Sequence, residues 1–252
     1  MQLDRMVHIV NKLAKHIVSI EGIQTTPNQR PKNAATLIVV DRSSAMPKIM
    51  LGKRHKGHAF LPGKFVFPGG SVDACDRLMR VAAPLHPVVR AKLMLNVMRP
   101  SKTIASALAL AAIRETFEET GLLLGLRRTD NRRVPEGAWS EFAELGYYPD
   151  LSTLQFIARA ITPPHYPRRF DTRFFAVDAS AIAYRIGDTV HPDAEFVDLI
   201  WVPIDEAHRV DMPVITGLVL QELKARVTAG FAHHLPVPFF RLKHKDYIRE
   251  FL

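Results

Sequence analysis

Three glutamates, Glu115, Glu118 and Glu119, stand close together in the run Ile113-Arg114-Glu115-Thr116-Phe117-Glu118-Glu119-Thr120-Gly121. On a helix they fall at i, i+3 and i+4, so their carboxylates cover one patch about a turn long. Like charges at that spacing each destabilise a helix by roughly a few tenths of a kcal/mol, and a cation in their midst would relieve the repulsion. A hard divalent ion suits such oxygen donors; Mg²⁺ is commonly held by one or two carboxylates together with substrate phosphates. An isolated Glu-x-x-Glu-Glu is more often a solvated helix face. Here the flanks argue for more. Leu110, Ile113 and Phe117 fall opposite the carboxylates and Leu108, Ala111 and Ala112 lie below them, giving the helix a core side and an acidic side. Gly121 is placed to close the helix, and Ser101 or Thr103 to cap its start.

The segments that must hold this helix alternate between strand and helix patterns. Residues 34–41 (AATLIVVD) read as a buried strand, and 48–54 (KIMLGKR) as its hairpin partner across a turn at 43–47. A basic, glycine-bearing stretch at 53–64 leads into Phe65-Val66-Phe67-Pro68-Gly69-Gly70, read as a strand ending in a Pro-Gly-Gly turn, where paired glycines let a backbone approach a ligand closely. Residues 77–105 hold Arg77, Arg80, Arg90, Lys92, Arg99 and Lys102 with no acidic residue, and their apolar positions suggest docked helices. Such a segment is either a surface insertion with solvated charges or a wall that attracts phosphates. Further on, 127–135 reads as a charged loop, 136–146 as a short helix, 153–162, 170–177 and 195–202 as strands, and 213–229 as a last amphipathic helix. This order predicts an α/β chain with a mixed sheet between helices.

With 252 residues and a hydrophobic fraction of 47%, the chain can bury a sizeable core. Lysine and arginine outnumber aspartate and glutamate by 34 to 25, a formal charge of +9 that favours anionic partners. The single cysteine, Cys75, excludes an intrachain disulfide and a multi-cysteine zinc site; it suits a reducing compartment, the cytoplasm, and reads as a loop residue. No apolar run is long enough to span a bilayer. Residues 1–20 read as an amphipathic helix on the domain surface rather than a targeting presequence, because arginine and serine enrichment and a small-residue cleavage pattern are lacking.

The residues resemble the signature of the Nudix hydrolases, Gly-x5-Glu-x7-Arg-Glu-U-x-Glu-Glu-x-Gly-U with U a bulky apolar residue. Arg114-Glu115, Thr116 at the U position, and Phe117-Glu118-Glu119-Thr120-Gly121-Leu122 match its second half. Contiguously the first half fails, since Ser106 and Pro100 stand where glutamate and glycine belong. It reappears upstream in Gly70-Ser71-Val72-Asp73-Ala74-Cys75-Asp76, after the Phe-Pro-Gly-Gly lead typical of the family and with Asp76 in place of glutamate. Thirty-seven residues separate Asp76 from Arg114 where the signature has seven, so the box is split by an insertion of thirty. A split box, together with the later Arg168-Arg169-Phe170-Asp171-Thr172-Arg173-Phe174-Phe175, looks like the group related to mammalian Nudix motif 19, associated with cleavage of the coenzyme A and acyl-coenzyme A diphosphate. The stretch 51–70 is partly similar to the motif of coenzyme A Nudix enzymes, with Arg54 as its arginine.

The resemblance implies a Nudix α/β/α sandwich with a central mixed sheet and a basic, helical insertion inside the box. The expected organisation is an N-terminal extension and linker at 1–32, a Nudix domain at 33–230 with its insertion at 77–106, and a C-terminal extension at 231–252. It implies hydrolysis of a diphosphate linkage with Mg²⁺ or Mn²⁺. Glu115, Glu118 and Glu119 would be metal ligands, Asp76 a fourth, and Arg114 would orient a box carboxylate, with Glu118 its nearest helical partner. Gly69 and Gly70 would shape the backbone beside them, and Arg54, Arg168 and Arg169 would face phosphates. Glu195 is a candidate general base. His55 and His58 could neighbour the diphosphate, although a histidine in a basic loop is more often filler; Trp139 and Trp201 read as core or strand residues. The expected partner is a small anionic diphosphate, with no nucleic acid and no membrane span, and a homodimer is left open. Two rivals from other classes are a non-catalytic Nudix-fold nucleotide sensor or regulator, and a nucleic-acid binder suggested only by charge.

Overall fold

The structure, a computed structural model, describes residues 27–57, 61–129, 133–164, 166–187, 189–244 and 246–252. The helix expected at 1–20 and His58 lie outside the described residues. Strand β1 (Lys32–Asp41) is the centre of the molecule. Its β-branched and apolar residues alternate between two cores, Ala35, Leu37 and Val39 on one face and Ile38 and Val40 on the other, as the two-residue strand period requires. β2 (Lys48–Arg54) runs antiparallel to the end of β1 from Val40↔Ile49. β9 (Phe170–Asp178) lies parallel to β1 along its other edge.

The outer positions are filled by β8 (Gln155–Ile161) against β9 and by β11 (Phe196–Pro203) against β2. A C-terminal hairpin, β12 (Pro238–Lys243) and β13 (Asp246–Phe251), extends the same sheet through parallel pairing of β12 with β8. The described residues thus form a nine-stranded mixed sheet, in the order β11-β2-β1-β9-β8-β12-β13 with two short strands off this path, and two small sheets, β5 (Leu122–Leu123) with β10 (Tyr184–Arg185) and β6 (Gly125–Arg127) with β7 (Tyr147–Pro149). Most of the segment expected as an extension from residue 231 on is therefore sheet, as β12 and β13, with Phe239 and Phe240 buried.

The two short strands correct a second expectation. β3 (Phe65–Val66) pairs with β2, and after Phe67-Pro68 the chain crosses to form β4 (Gly69–Ser71) against β1. The two glycines are strand residues, with Gly70 opposite Ala35, rather than a turn.

One face of the sheet is covered by helix α5 (Val214–Thr228). The other carries α1 (Ala74–Leu78), α2 (Pro87–Leu93), the long α3 (Lys102–Thr120) and α4 (Ala138–Glu144). α3 starts at Ser101, whose side chain accepts from the Thr103 N–H, and ends at Gly121, whose φ of 69° is the left-handed conformation that closes helices. The expected division into a core side and an acidic side gives way to a nearly enclosed helix: burial runs around it, and only its last turn and a half presents carboxylates. Thr116 and Thr120 are tolerated inside because their hydroxyls donate to the carbonyls of Ala112 and Thr116. Within 77–106, Met79, Leu85, Val89 and Leu93 belong to the core, so the insertion is docked rather than projecting. No helix among the described residues is long and apolar enough to cross a membrane.

Candidate active site

The C-terminal turns of α3 meet β4 and the first turn of α1, and this juxtaposition brings the two separated halves of the signature together. Asp73 caps α1, and its N–H donates to Asp76 Oδ2 at 2.8 Å. Asp76 is almost wholly buried, with 1% of its surface exposed. It lies behind Arg114, which reaches it from 38 residues away through Nε–Oδ1 at 2.9 Å and Nη2–Oδ2 at 3.1 Å. The indole N–H of Trp139 donates to the same Oδ1 at 3.2 Å. Asp76, expected among the metal ligands, is thus a buried acceptor for Arg114; its short side chain ends in a shell of donors and does not join the carboxylate patch.

Arg114 distributes what remains of its guanidinium to the patch. Nη1 donates to Glu115 Oε1 at 2.9 Å and to Glu118 Oε2 at 2.8 Å, the i,i+4 partner expected from the helix, and Nη2 also reaches the Ser71 carbonyl at 3.0 Å. Burial opposes its charge, but Asp76, Glu115 and Glu118 outweigh that and hold the guanidinium above its ordinary pKa. With these five N–H groups engaged, Arg114 positions carboxylates and is not presented to a substrate.

Glu119 faces β4, where the Gly69 N–H donates to its Oε2 at 3.0 Å. Gly70 lies against Glu115: a Cβ there would sit 2.4 Å from Glu115 Cδ. Burial pushes the Glu115 carboxyl up to about 7, against the pull of Arg114 and with repulsion from Glu118 and Glu195. Burial likewise raises Glu118. Glu119 is raised well above the carboxylate range by burial first, then by Glu195 and Glu115. Glu195 therefore stands at this site, brought in where β11 begins beside the end of β2, and Arg54 Nη1 pairs with its Oε1 at 2.7 Å. Four carboxylates, Glu115, Glu118, Glu119 and Glu195, gather around the guanidiniums of Arg114 and Arg54, with Asp76 behind Arg114.

This composition can take up positive charge. Its donors are all oxygen, as hard divalent ions prefer, and the repulsion recorded between Glu115, Glu119 and Glu195 is what such an ion relieves. As placed, Glu115 and Glu118 turn toward Arg114 and Glu119 toward Gly69; among the described residues no three Asp, Glu, His or Cys side chains converge to hold an ion.

The chain is similar to a Nudix hydrolase from Alicyclobacillus acidocaldarius, with 27% identity over 82% of this chain and 97% of that one and a TM-score of 0.61. The fold is that of the Nudix hydrolases. Weaker likenesses include a Nudix hydrolase from M. smegmatis, RenU, at 16% identity over 80% of this chain and 88% of that one, TM-score 0.43. Another is the NUDIX domain of Shewanella oneidensis NrtR, solved in complex with ADP ribose, at 12% identity over 79% and 90% of the two chains, TM-score 0.44. No protein-family model matches the chain.

Within this Nudix fold the remaining expected residues part company. Arg169 is turned away to the Thr162 carbonyl, the Gln29 carbonyl and Asn28, anchoring the segment before β1. Arg168 is exposed, in the loop before β9. Asp171 and Arg173 of the same stretch form a buried cluster with Arg159, whose Nε and Nη2 hold both Asp171 oxygens at 2.8 and 2.7 Å. Cys75 is not in a loop but in α1, half-buried, its thiol pushed up by burial and by Asp76. Trp201 is a half-exposed strand residue of β11. The link from Trp139 to Asp76 escapes sequence reasoning: a buried indole N–H seeks an acceptor, but nothing in the sequence says which.

Proposed function

We propose that this protein is a metal-dependent hydrolase of a diphosphate linkage in a coenzyme A- or acyl-coenzyme A-like or nucleotide substrate, acting in the cytoplasm. The observation that carries the reading is the cluster of Glu115 and Glu119 against the glycine strand β4, with Glu118 and Glu195 beside them and Arg114 fixing Glu115 and Glu118. Its likeness to a Nudix hydrolase at 27% identity supports hydrolase chemistry. The split box and the insertion, which carries no acidic residue, support an anionic, phosphate-rich substrate.

Glu115, Glu118 and Glu119 would hold Mg²⁺ or Mn²⁺. A bound ion of this kind neutralises charge on phosphoryl oxygens and lowers the pKa of its water. The chain's own contribution is preorganisation. Arg114 fixes the rotamers of Glu115 and Glu118, and Gly69 fixes Glu119. Gly70 leaves the space that Glu115 occupies. Glu195, beside Glu119 and held by Arg54, accepts the proton of the attacking water. Arg54 and the exposed Arg168 supply positive charge toward the substrate's phosphates.

Product identification by mass spectrometry tests the reading, with coenzyme A, acyl-coenzyme A, ADP-ribose, NADH and dinucleoside polyphosphates as substrates and Mg²⁺ or Mn²⁺ present. Cleavage of a diphosphate with release of two phosphate-bearing halves is expected. No turnover across the panel, with clear thermal stabilisation by one compound, would replace the enzyme with a nucleotide sensor.

A further inference from the structure

We infer that Trp139 is a positioning residue of the carboxylate site: its indole N–H fixes Asp76, Asp76 fixes Arg114, and Arg114 aims Glu115 and Glu118. This rests on the proposed metal-binding role of those glutamates. The planar guanidinium of Arg114 bonds Asp76 along one edge and both glutamates through Nη1. A rotation of the Asp76 carboxylate therefore tilts the whole fork and re-aims both glutamates at once.

The orientation of that carboxylate is decided by its donors other than Arg114. Oδ2 is held by the Asp73 N–H within α1. For Oδ1 the strong donor is the Trp139 indole at 3.2 Å; the Cys75 thiol, 3.9 Å away, is a weak one. Trp139 comes from neither half of the signature but from α4, and it is fully buried. Its ring packs edge-on against Phe142 at 5.5 Å, and Phe142 packs edge-on against Phe117 of α3 at 5.3 Å. The indole thus keeps station with the helix that carries Glu115, Glu118 and Glu119, so α4 sets the angle between Asp76 and the patch.

The test compares direct Mn²⁺ binding, followed by the electron paramagnetic resonance of free Mn²⁺, in the wild-type protein, Trp139→Phe and Phe142→Leu, with thermal midpoints recorded for each. Trp139→Phe keeps an aromatic ring and removes the N–H; Phe142→Leu loosens the same packing and keeps it. Trp139→Phe is expected to weaken Mn²⁺ binding about tenfold, the low end of what outer-shell partners contribute, and Phe142→Leu by about twofold or less. Unchanged binding in Trp139→Phe, or an equal loss in both variants, overturns the role of Trp139 alone. Absence of Mn²⁺ binding by the wild type overturns the metal site and this role with it. A second measurement does not depend on Trp139→Phe folding. In Trp201→Phe, Trp139 is the remaining indole, and its ¹⁵N–¹H resonance is expected to move on Mg²⁺ titration and to saturate with the site. A resonance that stays fixed while Mg²⁺ binds overturns the proposal.

Discussion

At the scale of single residues, the carboxylates of this site are held in a state that opposes folding, the cost that the proposed chemistry would explain. Burial first, then repulsion by Glu195 and Glu115, raises the Glu119 carboxyl well above the carboxylate range, so Glu119→Gln gives up no favourable charge. The metal-free variant is expected to melt no lower than wild type while turnover falls by about two or more orders of magnitude. Near-normal turnover would remove Glu119 from the site. Glu115 gives a pH signature. Its carboxyl is raised from 4.5 to about 7 in the folded protein, so the native state retains a proton that the unfolded chain has given up. Its stabilisation is full below 4.5 and is lost as pH rises through about 7. In chelator, the melting temperature of wild type relative to Glu115→Gln should fall between pH 5 and pH 8, and added Mg²⁺ should raise the wild-type value more at pH 8 than at pH 5. A difference that stays flat with pH would contradict this. The three helix glutamates were legible in the sequence because spacing alone fixes which helical side chains share a patch. The behaviour of Asp76 was not: a metal and an arginine both suit a carboxylate, and only the enclosing Asp73, Arg114 and Trp139 donors decide between them.

At the scale of elements, β4 is where strand geometry and chemistry meet, and its two glycines do different work. A Cβ on Gly70 would strike the far end of Glu115, a side chain that can move, whereas a Cβ on Gly69 would come within 2.5 Å of the Ala35 carbonyl and 2.7 Å of Thr36 Cα in β1. Gly70→Ala should therefore keep the fold and lower activity at least tenfold by displacing Glu115. Gly69→Ala should prise β4 from β1 and lower the melting temperature markedly. Circular dichroism melts beside initial rates would separate the two, and equal behaviour would refute the distinction. The longer elements could be read in advance because burial on a sheet face imposes alternation, as in β1 and β2, and because Ser101 and Gly121 mark the ends of α3. β4 could not, since its three residues, Gly69 to Ser71, carry no apolar alternation and owe their strand conformation to the edge that β1 offers.

At the scale of the whole molecule, the sheet continues past the region where the sequence resemblance ends. β12 and β13 cover the outer edge of β8, the ring of Phe239 lies under Arg159 at 4.3 Å, and the carbonyls of His233 and Leu235 accept from Lys92 in the insertion. Ending the chain after residue 231 should strip β8 of its neighbour and leave Lys92 and Arg159 without these contacts. The expected result is a large drop in soluble yield and melting temperature rather than a trimmed but stable enzyme, read by size-exclusion chromatography and a thermal melt. Lys92 is also shown to be a structural cation, so a substrate effect of the insertion is better sought at Arg90. The bond between Asp76 and Arg114 has a wider consequence. It ties Asp76, next to the start of the inserted segment, to Arg114, two helical turns past its end, so the segment is a loop closed on a fixed base. Closing such a loop costs only about 0.6 kcal/mol more for each doubling of its length. The chemistry at the base is therefore insulated from the size of what is threaded through it. An exchange of residues 77–106 for a segment of another length would have to restore the core positions of Met79, Leu85, Val89 and Leu93 and the partners that the present segment grips: Arg159, which donates to the carbonyls of Leu95 and Asn96, and the carbonyls of His233 and Leu235, which accept from Lys92. The insertion and the stretch 233–235 that leads into the C-terminal hairpin would therefore have to be transplanted together.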